Sequence, residues 1–201
     1  MLKLFLKVAP LCLMACFALV AFASPARAQA GPVEGGHEWQ VWTGGGHGVN
    51  GSQQDDGIFN LGGRFGIVLT APHGPGLLNG RLEYAVDVVP VFVVTQKTGA
   101  AYGFGVNPFA FKWALAKPKT VVPYFEIGGG TLFTHVKVPE NTSRVNFTTG
   151  GALGVHFPRN KYTVSAEVRF MHISNAGIAN LNPGINTIQF RIGFGLFTQP
   201  R

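Results

Sequence analysis

Alternating apolar and polar positions recur along the chain in segments of about ten residues. Between positions 81 and 89, for example, Leu82 and Tyr84 alternate with Arg81 and Glu83. Side chains two residues apart leave the same face of a β-strand, so each segment predicts a strand with one apolar face. The predicted strands span residues 39–46, 59–70, 81–89, 102–113, 121–133, 145–157, 161–174 and 185–198.

The amino terminus has the pattern of a secretory signal peptide over residues 1–30. Lysines precede an apolar run at residues 8–23, and small residues around Ala28 suit cleavage by signal peptidase. A membrane anchor fits less well, because the run is short and no charged flank follows it. The mature chain is then expected to be one domain, residues 31–201.

Composition favours a membrane barrel. The chain has 28 Gly and 17 Phe, and only 12% of its residues are charged. Beyond the signal no apolar run is long enough for a spanning helix, and a closed barrel is the other structure that satisfies its backbone in lipid. We therefore predict an all-β fold, an eight-stranded antiparallel transmembrane β-barrel of the outer-membrane type. A soluble β-sandwich or lipocalin-like barrel stays open as the alternative.

The mature chain has few charges and no cysteines. Both cysteines, Cys12 and Cys16, fall inside the predicted signal, so disulfide and thiolate chemistry are excluded. Without Lys3, Lys7 and Arg27 the formal net charge falls from +7 to +4, because no acidic residue is lost with them. The remaining basic residues are dispersed, and we expect no nucleic-acid partner.

Charged residues on the faces opposite the apolar ones predict a polar lumen. A barrel of about eight strands has an interior just wide enough for side chains to fill, so these charges are expected to pair across it. They are Arg64, Arg81, Glu83, Asp87, Glu126, Glu167, Arg169 and Arg191.

Long polar links and short turns predict the orientation of the barrel. In outer-membrane barrels the long links face outside and the short turns face the periplasm. The strand at 161–174 then ends near the outer leaflet. Phe197, close to the carboxyl end, resembles the signal by which the barrel-assembly machinery recognises such proteins. The long links are residues 47–56, 138–143 and 175–184, and the short turns lie at 117–119 and 158–160.

A polar cluster interrupts the apolar face of the last two predicted strands. His172 and Ser174 share the apolar, lipid-facing side of their strand, and a hairpin brings Asn186 beside them. Polar groups facing lipid are costly and indicate a function. A serine nucleophile needs a base that is oriented by a third group, which His172 and Asn186 supply. Backbone amides near Asn175 and Gly177 are candidates to stabilise an oxyanion.

The runs His172-Ile173-Ser174-Asn175-Ala176-Gly177 and Asn182-Pro183-Gly184-Ile185-Asn186 resemble the lipid A 3-O-deacylase (PagL) family, often labelled acyloxyacyl hydrolase. The match is best over residues 169–197. Members of this family are outer-membrane barrels with a Ser-His-Glu triad on the outer surface. They remove the ester-linked acyl chain at position 3 of lipid A without a metal or organic cofactor.

The resemblance implies that Ser174 is the nucleophile and His172 the general base, with Asn175 and Gly177 in the oxyanion region. Asn186 stands where the family has its glutamate. Asparagine can hold a histidine in place, but it supplies no charge for the imidazolium. Lipid A of lipopolysaccharide is the implied substrate, and the bacterial outer membrane the implied location. No oligomeric state is predicted.

Two other functions stay open: a non-catalytic small barrel that retains a relic site, and a soluble periplasmic lipid-binding barrel. Glu126 and Glu167 cannot replace the missing acid, because alternation places both inside the barrel. Glu140, in a link, is a carboxylate that could reach the site instead. The other histidines show no metal-ligand spacing, so no metal is expected.

Overall fold

The computed structural model describes residues 28–29, 31–49, 57–117 and 119–200. Most of the predicted signal peptide, residues 1–30, lies outside them, and the proposed cleavage remains a prediction. Ala28–Gln29 forms a short strand, β1, which pairs with the end of the last strand. The longer strands are β2 (His37–Gly48), β3 (Gly57–Val68), β4 (Gly80–Gln96), β5 (Gly99–Leu115), β6 (Val122–Thr134), β7 (Val145–Pro158), β8 (Thr163–Ser174) and β9 (Ile185–Thr198).

The strands from β2 to β9 form a closed antiparallel barrel. Each pairs with its neighbour in sequence, and β9 pairs with both β8 and β2. The predicted eight-stranded antiparallel barrel is therefore confirmed. In the described part of the chain, no helix is long and apolar enough to cross a membrane.

The hairpin of β4 and β5 is longer than the sequence predicts. Both strands have 17 residues, and only Lys97 and Thr98 connect them. The predicted strand ended at Val89, just before Pro90, a residue that cannot donate a ladder hydrogen bond. In the structure Pro90 lies in a bulge between the pairs Val89–Gly105 and Phe92–Gly103, where no such bond is required.

The connections are less regular than predicted. We call the end of the barrel at which β8 stops and β9 starts the site end. The links at 135–144 and 175–184 lie there, together with the short turn between β4 and β5. At the opposite end, β3 and β4 are joined by residues 69–79, which include a 3-10 turn at Gly76–Leu78.

Ion pairs fill the middle of the lumen. Arg64 binds Asp87 at 2.7 Å and also binds Glu126. Arg169 binds Glu126 and Glu167. The same arrangement extends to Arg191 with Glu167 at 3.3 Å, and to Lys112 with Glu38 at 2.7 Å and Glu83 at 3.3 Å.

The prediction of a charged lumen was wrong for one residue and incomplete for two. Arg81 is half-exposed at the start of β4 and has no ion pair with any described residue. Glu38 and Lys112 are buried in the lumen but were missed. Glu38 precedes the first predicted strand, residues 39–46, and alternation is less clean in the strand that carries Lys112.

Apolar side chains cover the outside of the barrel and also fill the lumen at the site end. Leu153 and Phe190 are 72% and 53% exposed on the outer wall. Under the ends of β8 and β9, Ile173 and Ile185 are fully buried in an apolar cluster with Leu132. This packing supports the end of β8 and the start of β9 from inside the barrel.

Candidate functional site

The register of β8 and β9 places His172 directly opposite Asn186. Both side chains are half-buried, whereas Met171 and Ile173 beside His172 point inward and are buried. The next outward side chains on each strand, Phe170 and Ile188, are exposed. The predicted outward position of His172 and Asn186 on an apolar wall is thus confirmed.

A hydrogen bond joins the two side chains. His172 Nδ1 and Asn186 Oδ1 are 2.7 Å apart. Because an amide oxygen only accepts, this bond requires the proton on Nδ1 and leaves Nε2 of the neutral ring with a free lone pair. The Asn186 side chain therefore fixes both the orientation and the tautomer that a general base requires.

Ser174 lies two residues beyond His172 on the same face and is half-buried. The Cα atoms of such a pair are roughly 6.6 Å apart along a strand. Within the described residues the Ser174 hydroxyl makes no hydrogen bond, either to His172 or elsewhere. Catalytic hydrogen bonds often close only when substrate binds, so the placement suits a nucleophile and its base.

The link at 175–184 is folded around the buried side chain of Asn175. Its Oδ1 accepts from the Gly177 amide at 2.9 Å, and its Nδ2 donates to the Leu181 carbonyl at 2.7 Å. Its backbone N–H donates to Asn182 Oδ1 at 2.9 Å. The amides of Asn175 and Gly177, predicted as oxyanion donors, thus both have an acceptor inside the link.

Asn182 belongs to the run that resembles the family, but the sequence assigned it no role. Its Oδ1 accepts from Asn175, and its Nδ2 has no hydrogen bond to any described residue. The side chain is exposed beside the strand end that carries Ser174. A carboxamide N–H can stabilise a developing oxyanion. The Asn-Pro pair in a polar link, which favours a turn, was the available signal.

Gly184 forms a wall of the site. It adopts a φ of +72°, and a Cβ there would stand 2.7 Å from Cε1 of the His172 ring. The position needs glycine both for its left-handed backbone and for the space that the ring occupies. In the sequence it is part of the run that resembles the family and of the link at 175–184, and no role was assigned to it.

None of the candidate acids contacts the histidine. Glu126 and Glu167 are buried in the lumen, as predicted. Glu140 accepts hydrogen bonds from the Thr98 hydroxyl at 2.6 Å and its amide at 2.9 Å, and these bonds lower the pKa of Glu140. They hold it on the turn between β4 and β5. In the described part of the chain, no carboxylate pairs with His172, and no group of His, Cys, Asp or Glu is arranged to hold a metal ion.

Comparisons with known proteins point to one family. The family model described as lipid A 3-O-deacylase (PagL) matches residues 38–195. The fold is similar to that in the crystal structure of the outer membrane enzyme PagL, with a TM-score of 0.59 and 20% sequence identity, over 77% of this chain and 97% of that chain. No curated protein matches the sequence.

Proposed function

Because the chain belongs to the lipid A 3-O-deacylase (PagL) family, we propose that it is an outer-membrane esterase that removes the 3-O-linked acyl chain of lipid A in lipopolysaccharide. The observation that carries this proposal is the hydrogen bond between His172 and Asn186 on a largely apolar outer wall. Ser174 follows on the same face. Such a site meets an ester whose acyl chain lies in the membrane.

In this mechanism the Ser174 hydroxyl attacks the ester carbonyl carbon while His172 Nε2 takes its proton. The tetrahedral intermediate collapses, the sugar oxygen leaves, and His172 returns the proton to it. Water, deprotonated by His172, then attacks the acyl-serine and releases the fatty acid. Asn186 keeps the ring aligned through both steps.

The oxyanion is stabilised by the link that follows Ser174. We assign this role to Asn182 Nδ2, which has no partner within the described residues, together with the turn at Asn175 and Gly177. The Asn175 and Gly177 amides already donate hydrogen bonds inside the link. An amide of this pair that also stabilises the oxyanion does so through a bifurcated hydrogen bond. Asn175 also organises the turn, and its loss is expected to disorder all three donors.

The membrane context supports the proposal. Large apolar side chains face outward around the barrel, and ion pairs occupy the lumen. A soluble lipid-binding barrel would need the reverse arrangement, with an open apolar interior. Export through the predicted signal and insertion by the barrel-assembly machinery would place the site end at the outer leaflet, where lipid A lies.

One observation favours a second candidate. Asn186 replaces a charged partner with a neutral one, so the site has less means of stabilising the imidazolium. A non-catalytic barrel with a relic site is the corresponding function. It predicts that the fold persists and that activity is absent.

Mass spectrometry of lipid A from a bacterial host expressing the chain tests the proposal. We expect the loss of one hydroxyacyl group with the wild type and none with Ser174→Ala. Ser165→Ala, on the lumen face of the same strand, is the control and should behave as wild type. Anomalous migration of unheated samples verifies folding. Unchanged lipid A beside a folded wild-type barrel, in a host with the appropriate acyl chain, would favour the relic site.

A further inference from the structure

The polar cluster on the outer wall extends to a third strand. Thr149 on β7 lies directly opposite His172, which lies opposite Asn186 on β9. The three side chains therefore form one row across β7, β8 and β9. Thr149 is the one polar side chain that β7 directs outward; the other outward positions are Val145, Phe147, Gly151, Leu153, Val155 and Phe157.

The Thr149 side chain is exposed and its hydroxyl makes no hydrogen bond to any described residue. Its methyl group is turned toward β6, where it stands 3.3 Å from the position that a Cβ on Gly129 would take. A hydroxyl in an apolar environment is costly when it has no partner. No described residue supplies that partner, which leaves the hydroxyl available to a bound molecule.

Neighbouring glycines keep the hydroxyl accessible. Gly129 lies opposite Thr149 on β6, and Gly151 is the next outward position on β7. A Cβ on Gly129 would stand 2.5 Å from the Thr148 carbonyl oxygen, so this position cannot carry a larger residue without a backbone shift. No side chain at either glycine covers the approach to Thr149.

We propose that Thr149 binds a hydroxyl group on the acyl chain of the substrate and makes the enzyme selective for 3-hydroxyacyl esters over plain acyl esters. This inference rests on the proposed esterase function. Thr149 lies directly opposite His172, and it lies diagonal to Ser174, which is opposite Phe147. Diagonal residues on paired strands have Cβ atoms about 7 Å apart. An acyl chain whose carbonyl carbon meets the Ser174 hydroxyl carries its 3-hydroxyl three bonds further on, which brings that hydroxyl within reach of Thr149.

Two synthetic esters that differ only in the 3-hydroxyl group provide the test. The ratio of their kcat/KM values is measured for the full chain in detergent micelles. We expect Thr149→Val, which keeps the shape and removes the hydroxyl, to lower this ratio by about tenfold or more, through slower turnover of the hydroxyacyl ester. Thr149→Ser should preserve the ratio, and Thr149→Ala should lower it as Val does.

Thr131→Val is the matched control, because Thr131 also faces outward but lies on β6, away from His172. Its ratio should equal that of wild type. If Thr149→Val and Thr149→Ala leave the ratio unchanged, or slow both esters equally, Thr149 does not read the substrate hydroxyl and the inference is overturned. Ser174-dependent activity would survive that outcome. A folded wild-type barrel inactive on both esters would instead overturn the proposed function together with this inference.

Discussion

The partner of His172 offers a quantitative test of the proposed triad. In Asn186→Asp an oxygen occupies the place of Oδ1, so the 2.7 Å bond to Nδ1 is retained while a negative charge is added. This charge opposes the imidazolium that forms when His172 takes the serine proton. The change therefore separates orientation of the ring, which stays, from charge stabilisation, which is new.

The size of the effect follows from the geometry. Exchanging a neutral for a charged hydrogen bond strengthens it by about 1–2 kcal/mol. A full charge pair about 4 Å apart at an effective dielectric constant of about 20 gives an upper limit of about 4 kcal/mol. Since each 1.36 kcal/mol is about tenfold in rate, kcat should rise by about 5- to 1000-fold.

Ester hydrolysis in micelles measures kcat and KM for wild type, Asn186→Asp and Asn186→Leu. The leucine variant has similar volume but no acceptor, so it should fall below wild type because the ring loses its tautomer and orientation. Asn186→Glu, with the longer side chain of the family, should also gain activity if it reaches the ring. A leucine variant as fast as wild type would refute the role assigned to the bond. A folded aspartate variant with no gain would show that imidazolium charge does not limit the rate.

Gly184→Ala should reduce kcat in a folded barrel, because its Cβ would crowd the histidine ring at 2.7 Å. Gly76→Ala, at φ +52° with nothing within 4 Å and at the opposite end of the barrel, is the matched control, and equal losses would argue against crowding. Glu126→Leu should destabilise the barrel by about 3–5 kcal/mol by depriving two buried arginines of a partner, and an unchanged urea midpoint would contradict this. The hydrogen bonds that lower the pKa of Glu140 below 4.5 should hold the Thr98 amide at neutral pH and release it as pH falls through that lowered pKa. Hydrogen-exchange protection of the Thr98 amide measures this, and Glu140→Gln should weaken that protection at pH 7. Equal protection in both proteins would contradict the role given to the Glu140 carboxylate.

The proposed site was predicted in part because its signal is local. His172 and Ser174 share a face through strand periodicity alone, and their hairpin partner is near in sequence. Gly184 and Asn182 were missed as site residues, since their contacts depend on how the link folds around Asn175. The longer β4–β5 hairpin was also missed, because a bulge accommodates Pro90 and no residue pattern fixes where a bulge forms.

Alternation along the chain predicts eight strands, their apolar faces and the outward position of His172, Ser174 and Asn186, because side-chain direction along a strand has a period of two. The residues that face one another across neighbouring strands, by contrast, are set by the folded barrel. Register between strands decides that β9 closes on β2, that Arg81 is left out of the ion pairs and that Lys112 takes part in them. It also places Thr149 beside His172, through the pairing of β7 with β8. Register depends on the packing of the whole barrel, and it cannot be inferred from the sequence of a single strand.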